Sequence, residues 1–136
     1  MEDRKFIDIS YIVTKQYSQF MNWVDLVTVH ASVSPEVVSK LSGVLLVANM
    51  SNNNYDVTEN AIKLAKENPN NIIGFITQKR INFNNLICMT PGISNDTKQI
   101  NDQTYKNIKD IDTDFLTVGR SIYNSTNIED DIMKYI

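Results

Sequence analysis

The sequence predicts an α/β fold in which parallel strands are buried on both faces. At 136 residues, the chain has the length of one domain, which we expect to span residues 1–136. Five short runs are apolar at both odd and even positions, as in strands covered on both sides. Amphipathic stretches separate these runs. Strands that alternate with helices in this way are joined by right-handed crossovers and form a parallel sheet.

The predicted elements follow one another in regular alternation. The five predicted strands are Leu26–Val29, Val44–Ala48, Ile72–Ile76, Leu86–Met89 and Phe115–Val118. The predicted helices cover residues 8–21, Pro35–Leu41, a segment between Asp56 and Pro69, and Ile128–Tyr135. The segment Asp56-Val57-Thr58-Glu59 resembles a capping box, and Pro69 ends the helix that follows it. The chain is therefore expected to open with a helix, whose end places Phe20 and Trp23 in the core.

Composition excludes several classes of protein. The net charge is −3 and the sequence has no basic run, which disfavours nucleic acid or an anionic membrane as a partner. The longest apolar run, Val44–Ala48, is far shorter than the roughly 20 residues of a membrane span. Cys88 is the sole cysteine, so an internal disulfide is impossible and a reducing compartment, the cytoplasm, is expected. The 17 asparagines and 17 isoleucines indicate an AT-rich coding sequence, such as some viral genomes have.

Polar residues follow the predicted strands, where parallel α/β barrels carry their functional side chains. These candidate positions are His30, Asn49–Ser51, Thr77-Gln78, Thr90–Gly92 and Gly119-Arg120, together with the charged segment Glu2–Lys5 near the start of the chain. We expect His30 to be a satisfied structural histidine, because the sequence holds no second histidine and no metal-ligand spacing.

The pair Asp3 and Lys5 is the strongest candidate for chemistry. Two positions apart on an extended segment, both side chains can face one pocket. Carboxylates at Asp3 and Asp8 favour the charged form of the lysine, which can then deliver a proton to a carbanion. On spacing alone, a solvated charge cluster at a helix start, with Asp8 as an N-terminal acid, is the favoured interpretation.

Six ordered motifs make the chain resemble the orotidine 5′-monophosphate decarboxylases, in particular the eukaryotic type fused within uridine monophosphate synthase. The first is an Asp-x-Lys-x-x-Asp core at Asp3, Lys5 and Asp8. The other five are Ala48–Ser51, Gly74–Gln78, Met89–Ile93, Gln103–Tyr105 and Val118–Arg120. Each motif is weak alone, but together they run in the family's order over nearly the whole chain.

The resemblance implies a role for each matching residue. Asp3 would crowd the leaving carboxylate, Lys5 would protonate C6 of the pyrimidine, and Asp8 would reach the partner subunit's site in a homodimer. Ser51 would contact the amide edge of the base and Pro91 would line the base pocket. Gln103, Tyr105, Gly119 and Arg120 would bind the phosphate. The family uses neither metal nor cofactor, so none is expected.

The same resemblance reveals departures. The family's barrel has eight strands and takes about 250 residues, and the Asp3 motif belongs to the end of its third strand. We therefore expect an incomplete TIM (β/α)₈ barrel of about five parallel strands, without the first strands, the first catalytic lysine and the ribose-binding aspartate. Asn49 also stands where the family usually has an acid, and the 79–85 loop is shorter than the family's lid.

Two functions from different classes follow. The preferred hypothesis is a degenerate, decarboxylase-like protein that retains nucleotide monophosphate or phosphate binding and acts by self-association or by docking onto a decarboxylase-like subunit, such as host uridine monophosphate synthase. An open sheet has exposed edges that pairing can cover. The alternative is an orotidine monophosphate decarboxylase that is complemented by another chain.

Overall fold

A parallel sheet of six strands forms the centre of the protein in the computed structural model, which describes residues 1–52, 54–95, 99–100 and 102–136. The six strands of this sheet are β1 (Glu2–Phe6), β2 (Val27–His30), β3 (Val44–Val47), β4 (Ile72–Ile76), β5 (Ile87–Pro91) and β8 (Phe115–Thr117). Two further short strands are β6 (Gln99–Ile100) and β7 (Gln103–Thr104). The sheet order is β1-β2-β3-β4-β5-β8, and the short β6 and β7 pair with each other in antiparallel fashion. This architecture confirms the predicted incomplete barrel.

Helices connect the strands of the sheet. They are α1 (Ser10–Tyr17), α2 (Pro35–Val38), α3 (Thr58–Glu67), α4 (Arg120–Tyr123) and α5 (Ile128–Ile132), with 3₁₀ turns at Ile108–Asp110 and Met133–Tyr135. Because every neighbouring pair in the sheet is parallel, the carboxyl ends of all six strands lie at one rim.

The expectation that the chain opens with a helix is wrong. Residues Glu2–Phe6 form an edge strand that pairs with β2, so the sheet has six strands rather than about five. The sequence of β1 is mostly charged, and Asp3 and Arg4 are exposed. An edge strand needs no apolar run, so hydrophobic patterning missed it.

Two apolar layers pack against the faces of the sheet. The larger layer lies between the sheet and the helices, and Val27, Val29 and Leu46 contribute to it without any exposed surface. Cys88 belongs to this layer, and burial raises the pKa of its thiol, so it packs as the expected small hydrophobic residue. The smaller layer covers the inner face and centres on Leu45, Val47 and Ile76.

The C-terminal part of the chain is far less buried than the centre. Strand β8 and the helices α4 and α5 contain no fully buried residue. Exposed apolar side chains include Phe115 (51% exposed) and Tyr123 (67% exposed). The outer edge of β8 has no partner strand within the part of the chain that the structure describes. None of the described helices is long and apolar enough to cross a membrane.

Two local predictions need correction. Trp23 is 62% exposed, because α1 ends at Tyr17 and a series of turns carries Trp23 outside the core. Its ring packs edge to face with the Phe20 ring, and the ring centroids are 6.0 Å apart. Phe20, in contrast, packs partly buried against the core.

At the start of α3, Asp56 Oδ1 accepts hydrogen bonds from the backbone N–H and the hydroxyl of Thr58. The helix therefore begins two residues after Asp56, without side-chain capping at its N-cap, Val57.

Candidate functional site

The predicted site residues lie along the carboxyl rim of the sheet. Asp3 and Lys5 belong to β1, Pro91 ends β5, and Gly119 follows β8. They form two groups. One group surrounds Lys5 on the first strand, and the other surrounds Arg120 beyond the last strand.

Three residues of β1 and β2 form a closed hydrogen-bond network. Lys5 Nζ donates to Asp3 Oδ2 at 2.5 Å, and the Thr28 hydroxyl donates to Asp3 Oδ1 at 2.8 Å. The backbone N–H of Lys5 in turn donates to Thr28 Oγ1 at 2.8 Å. Both oxygens of the Asp3 carboxylate are therefore engaged, and its negative charge lies directly against the Lys5 ammonium.

The backbone of Lys5 has an unusual conformation. Its φ of 51° lies in the left-handed region, which costs a residue with a side chain about 1–2 kcal/mol. The register between β1 and β2 shifts here, since Glu2 faces Val27 whereas Phe6 faces Val29. The bulge turns the Lys5 N–H away from the ladder and toward the Thr28 side chain. Such local distortions recur beside active sites, where they direct a particular side chain.

Asp8 lies outside this network. Its side chain is exposed, and Oδ1 accepts a hydrogen bond from the Ile9 backbone at 2.7 Å. It precedes the N-cap of α1, so it is not an acid of the first helical turn. Within the described residues it makes no hydrogen bond or ion pair with Asp3 or Lys5. Its predicted role toward a partner subunit stays a prediction.

His30 departs from the expectation of a satisfied histidine. Its Nδ1 is buried without a hydrogen-bond partner in the described structure, and the same holds for the Tyr55 hydroxyl. The His30 and Tyr55 rings pack edge to face, with their centroids 5.1 Å apart. Burial lowers the pKa of His30, and the Lys5 ammonium lowers it further, so the neutral ring is favoured.

Arg120 connects the residues that were predicted to bind phosphate. Its Nη2 donates a hydrogen bond to Gln103 Oε1. The guanidinium also lies over the Tyr105 ring, with Cζ 5.4 Å from the ring centre. Tyr105 is buried, whereas Arg120 is exposed. The aromatic ring and the amide thus hold the guanidinium from two sides, and among the described residues the Arg120 side chain donates to Gln103 alone.

The residues predicted to line the base pocket lie next to this group. Gly92 adopts a φ of 76°, and an added Cβ there would lie 3.0 Å from both Gln103 Nε2 and Ser51 Cβ. Ser51 also accepts the Thr104 N–H at its backbone oxygen. The turn after Pro91 therefore brings Ser51 and Gln103 together. Gly119, with φ −117°, directly precedes α4 and Arg120.

A hydrogen-bond network that the sequence did not predict connects these loops. The Lys106 ammonium donates to the backbone oxygen of Gln78, and Gln78 Nε2 donates to Pro91 O at 3.0 Å. Burial is the main cause that lowers the pKa of Lys106. Asn49 accepts the Gln78 N–H and donates to Thr58 Oγ1 at 3.2 Å. A carboxylate at position 49 would lack this donor, so the asparagine has a structural role of its own.

The sequence pattern could have predicted a role for Thr28 but not for Lys106. Thr28 is a polar residue between two valines within an otherwise apolar strand, a pattern that marks an inward hydroxyl with a partner. Lys106 is one of several lysines in a polar stretch, and only the fold reveals that its ammonium binds the Gln78 carbonyl in the loop after β4.

A cleft of about 450 Å³ adjoins Arg120. Tyr105, Arg120, Asn124 and Lys134 are among the residues that line it, so both aromatic and cationic groups face the opening. Among the described residues, no group of three or more His, Cys, Asp or Glu side chains is arranged to hold a metal ion. Arg120 and Lys134 are the cations of this cleft, and Lys134 is paired there with Asp131.

Comparison with known proteins identifies the family. A family model described as "Orotidine 5'-phosphate decarboxylase / HUMPS family" matches residues 1–135. The chain belongs to this family. The resemblance noted from its motifs is thereby confirmed for the domain as a whole.

Curated relatives of the chain are uridine 5′-monophosphate synthases and orotidine 5′-phosphate decarboxylases. The synthase of Caenorhabditis elegans is 32% identical over 98% of this chain and 32% of its own length. The synthase of Bos taurus is 34% identical over 93% of this chain and 31% of its own length. The decarboxylase of Aureobasidium pullulans is 31% identical over 91% of this chain and 54% of its own length. The chain thus spans between a third and about half of these relatives.

A solved structure shows the same fold. The orotidine 5′-monophosphate decarboxylase from Methanocaldococcus jannaschii, complexed with the inhibitor BMP, aligns with a TM-score of 0.69 and 22% identity. The alignment covers 98% of this chain and 70% of that chain. The six strands therefore follow the family's barrel in three dimensions.

The lowered pKa of His30 predicts how stability depends on pH. The unfolded chain binds a proton near the ordinary histidine pKa of 6.5, whereas the folded protein resists protonation. The contribution of His30 to stability is complete above that pH and is lost as the pH falls below it. We expect the melting temperature to drop by a few degrees between pH 7.5 and 5.5, and to drop less in His30→Gln. Equal slopes in the two proteins would contradict this assignment.

Proposed function

We propose that this protein binds a pyrimidine nucleoside monophosphate at the carboxyl rim of its sheet, in an assembly with a second polypeptide that covers the open side of the sheet. Arg120, Gln103 and Tyr105 would hold the phosphate, with the backbone at Gly119 close to it. Ser51 and Pro91 would contact the base. No metal or cofactor is required for this binding.

The arrangement around Arg120 carries this proposal. Arginine binds phosphate through two parallel hydrogen bonds, and this requires a guanidinium held in a fixed plane. The Tyr105 ring and Gln103 Oε1 provide that restraint. The residues come from two separate segments of the chain, so their convergence is a property of the fold. The likeness to nucleotide-converting relatives supports the same ligand class.

The base would extend from the phosphate group toward Gly92. Ser51 and Gln103 both lie against this glycine, whose positive φ and lack of a side chain permit their close approach. A hydroxyl and an amide at this position can exchange hydrogen bonds with the amide edge of a pyrimidine. Pro91 adds an apolar ring and also accepts a hydrogen bond from Gln78 at its carbonyl, which fixes the turn.

Titration with uridine monophosphate tests the binding proposal. We expect the wild-type protein to bind it, and Arg120→Gln to lower the affinity at least about tenfold, because the phosphate loses a charged, two-pronged partner. Uridine, which has no phosphate, should bind both proteins equally. Isothermal titration calorimetry measures each dissociation constant.

Lys63→Gln is the matched control, since it removes one positive charge from an exposed position on α3. It should bind uridine monophosphate as the wild type does. Loss of affinity in both variants would indicate a general charge effect. Absence of binding by the wild-type protein and by its assembled form would refute the proposal.

The open edges of the sheet support the proposal that a second polypeptide binds there. Within the described residues, β1 and β8 each pair on one side only. Unpaired strand edges readily accept another chain. The exposed apolar residues of the C-terminal part, Phe115 and Tyr123 among them, lie on and just after β8. We propose a second copy of this chain as the partner, with a decarboxylase-like subunit of another protein as the alternative. The exposed Asp8 would reach the site of the partner.

Sedimentation analysis tests the association. We expect a dimer or larger species at micromolar concentrations, and Phe115→Lys should shift it toward monomer by placing a charge at the apolar edge. Met21→Lys, which introduces the same charge at an exposed apolar residue in the turns that follow α1, should leave the assembly intact. A wild-type protein that sediments as a monomer and binds no decarboxylase-like subunit would exclude this part of the proposal.

Decarboxylation of orotidine monophosphate is a second candidate function, favoured by the contact of Asp3 and Lys5. The Asp3 carboxylate would repel the substrate's carboxylate, and the bond between C6 and that group would break. Carbon dioxide would leave its bonding electron pair on C6. The Lys5 ammonium, 2.5 Å from Asp3, would then supply a proton to C6.

Loss of orotate absorbance in the assembled protein tests this chemistry. Lys5→Ala should lower the rate at least about a hundredfold because it removes the proton donor. Lys15→Ala, at an exposed lysine in α1, should retain the wild-type rate. A wild-type assembly that binds uridine monophosphate yet shows no turnover at high concentration would leave a nucleotide-binding protein without enzymatic activity.

A further inference from the structure

We infer that Thr28 is a positioning residue that orients the Asp3 carboxylate and the Lys5 main chain at the β1 end of the carboxyl rim. The inference rests on the proposed nucleotide binding. It adds a residue from β2 to a group otherwise contained in β1.

The Thr28 hydroxyl uses both its hydrogen-bonding capacities on this pair. It accepts the Lys5 N–H at 2.8 Å and donates to Asp3 Oδ1 at 2.8 Å. Thr28 has no exposed surface, whereas the side chains of Lys5 and Asp3 are 38% and 48% exposed. A buried hydroxyl therefore anchors two partly exposed charged groups.

The position of Thr28 on β2 separates this role from packing. Val27 and Val29, its neighbours along the strand, belong to the core between the sheet and the helices. Because side chains alternate along a strand, Thr28 points to the opposite, inner face. Its hydroxyl contacts the bulge of β1, where Lys5 takes its left-handed conformation.

The network restricts the rotation of the Asp3 carboxylate. Oδ2 contacts the Lys5 ammonium and Oδ1 contacts Thr28, so the carboxylate plane is fixed by two bonds in different directions. Without the hydroxyl, Asp3 would keep one flexible ionic contact and could turn away from a bound ligand. A negative group on the base would then be repelled less. Thr28 therefore influences how strongly the site discriminates between bases with and without a carboxylate.

Thr28→Val and Thr28→Ser test this role. Valine has nearly the same shape but cannot form either hydrogen bond, whereas serine retains the hydroxyl. We expect Thr28→Val to shift the ratio of affinities for orotidine and uridine monophosphate toward the carboxylated nucleotide about fivefold. Exchange of the Lys5 amide proton, followed by NMR, should become about tenfold faster. Serine should restore both properties.

Two further variants separate positioning from stability. Val29→Ala removes core packing from the same strand, so it should lower the melting temperature while leaving the affinity ratio unchanged. Asp3→Asn should shift the ratio in the same direction as Thr28→Val. Combining Asp3→Asn with Thr28→Val should give no additional shift, because Thr28 acts through Asp3.

The outcomes distinguish this inference from the proposed function. A folded Thr28→Val protein with the wild-type affinity ratio and an equally protected Lys5 amide would overturn the role of Thr28. An equal change of the ratio in Val29→Ala would do the same, since it would reveal a structural effect. If the wild-type protein binds neither nucleotide, the proposed function fails, and the Lys5 amide alone decides whether Thr28 fixes this segment.

Discussion

The parallel alignment of six strands is the constraint on which the candidate site depends. Parallel strands in sequence order place every carboxyl end at one rim, so residues as distant in sequence as Lys5 and Arg120 share an edge of the molecule. Crossover helices cover the outer face and form most of the core. The inner face has a smaller apolar layer, and its rim carries the hydrogen-bonding residues. Stability and function therefore depend on different faces of the same strands.

The rim has two groups because the sheet does not close within the described residues. Asp3 and Lys5 belong to the first strand in the sheet order, and Arg120 follows the last. Between the two groups, Asn49, Gln78 and Lys106 bond the loops after β3, β4 and β7 to one another. These hydrogen bonds join the central loops of the rim, whereas the two outer groups are exposed. Each outer group also contacts a buried residue, Thr28 in one case and Tyr105 in the other.

Apolar patterning predicted five of the six sheet strands, and Ile72–Ile76 agrees at both ends. It missed β1 because a charged edge strand has no buried periodicity, and it placed Trp23 in the core because helical spacing does not reveal where a helix ends. Family motifs predicted the residues that converge around Arg120. They could not reveal Thr28 or Lys106, whose partners lie 25 and 28 residues away in sequence. Such contacts depend on strand register and loop path, which local patterns do not encode.

Exposure determines what the Asp3–Lys5 pair can do chemically. Both side chains are more than a third exposed, so water screens their charges and the ion pair contributes little to stability. The electrostatic repulsion that would expel a carboxylate is equally weakened in this setting, since the interaction of two charges falls as the effective dielectric rises. A polypeptide that covers the inner face beside β1 would exclude water and strengthen both effects. In the proposed assembly, a polypeptide on the β1 side would therefore cover this sheet edge and strengthen the interactions of the charged pair together.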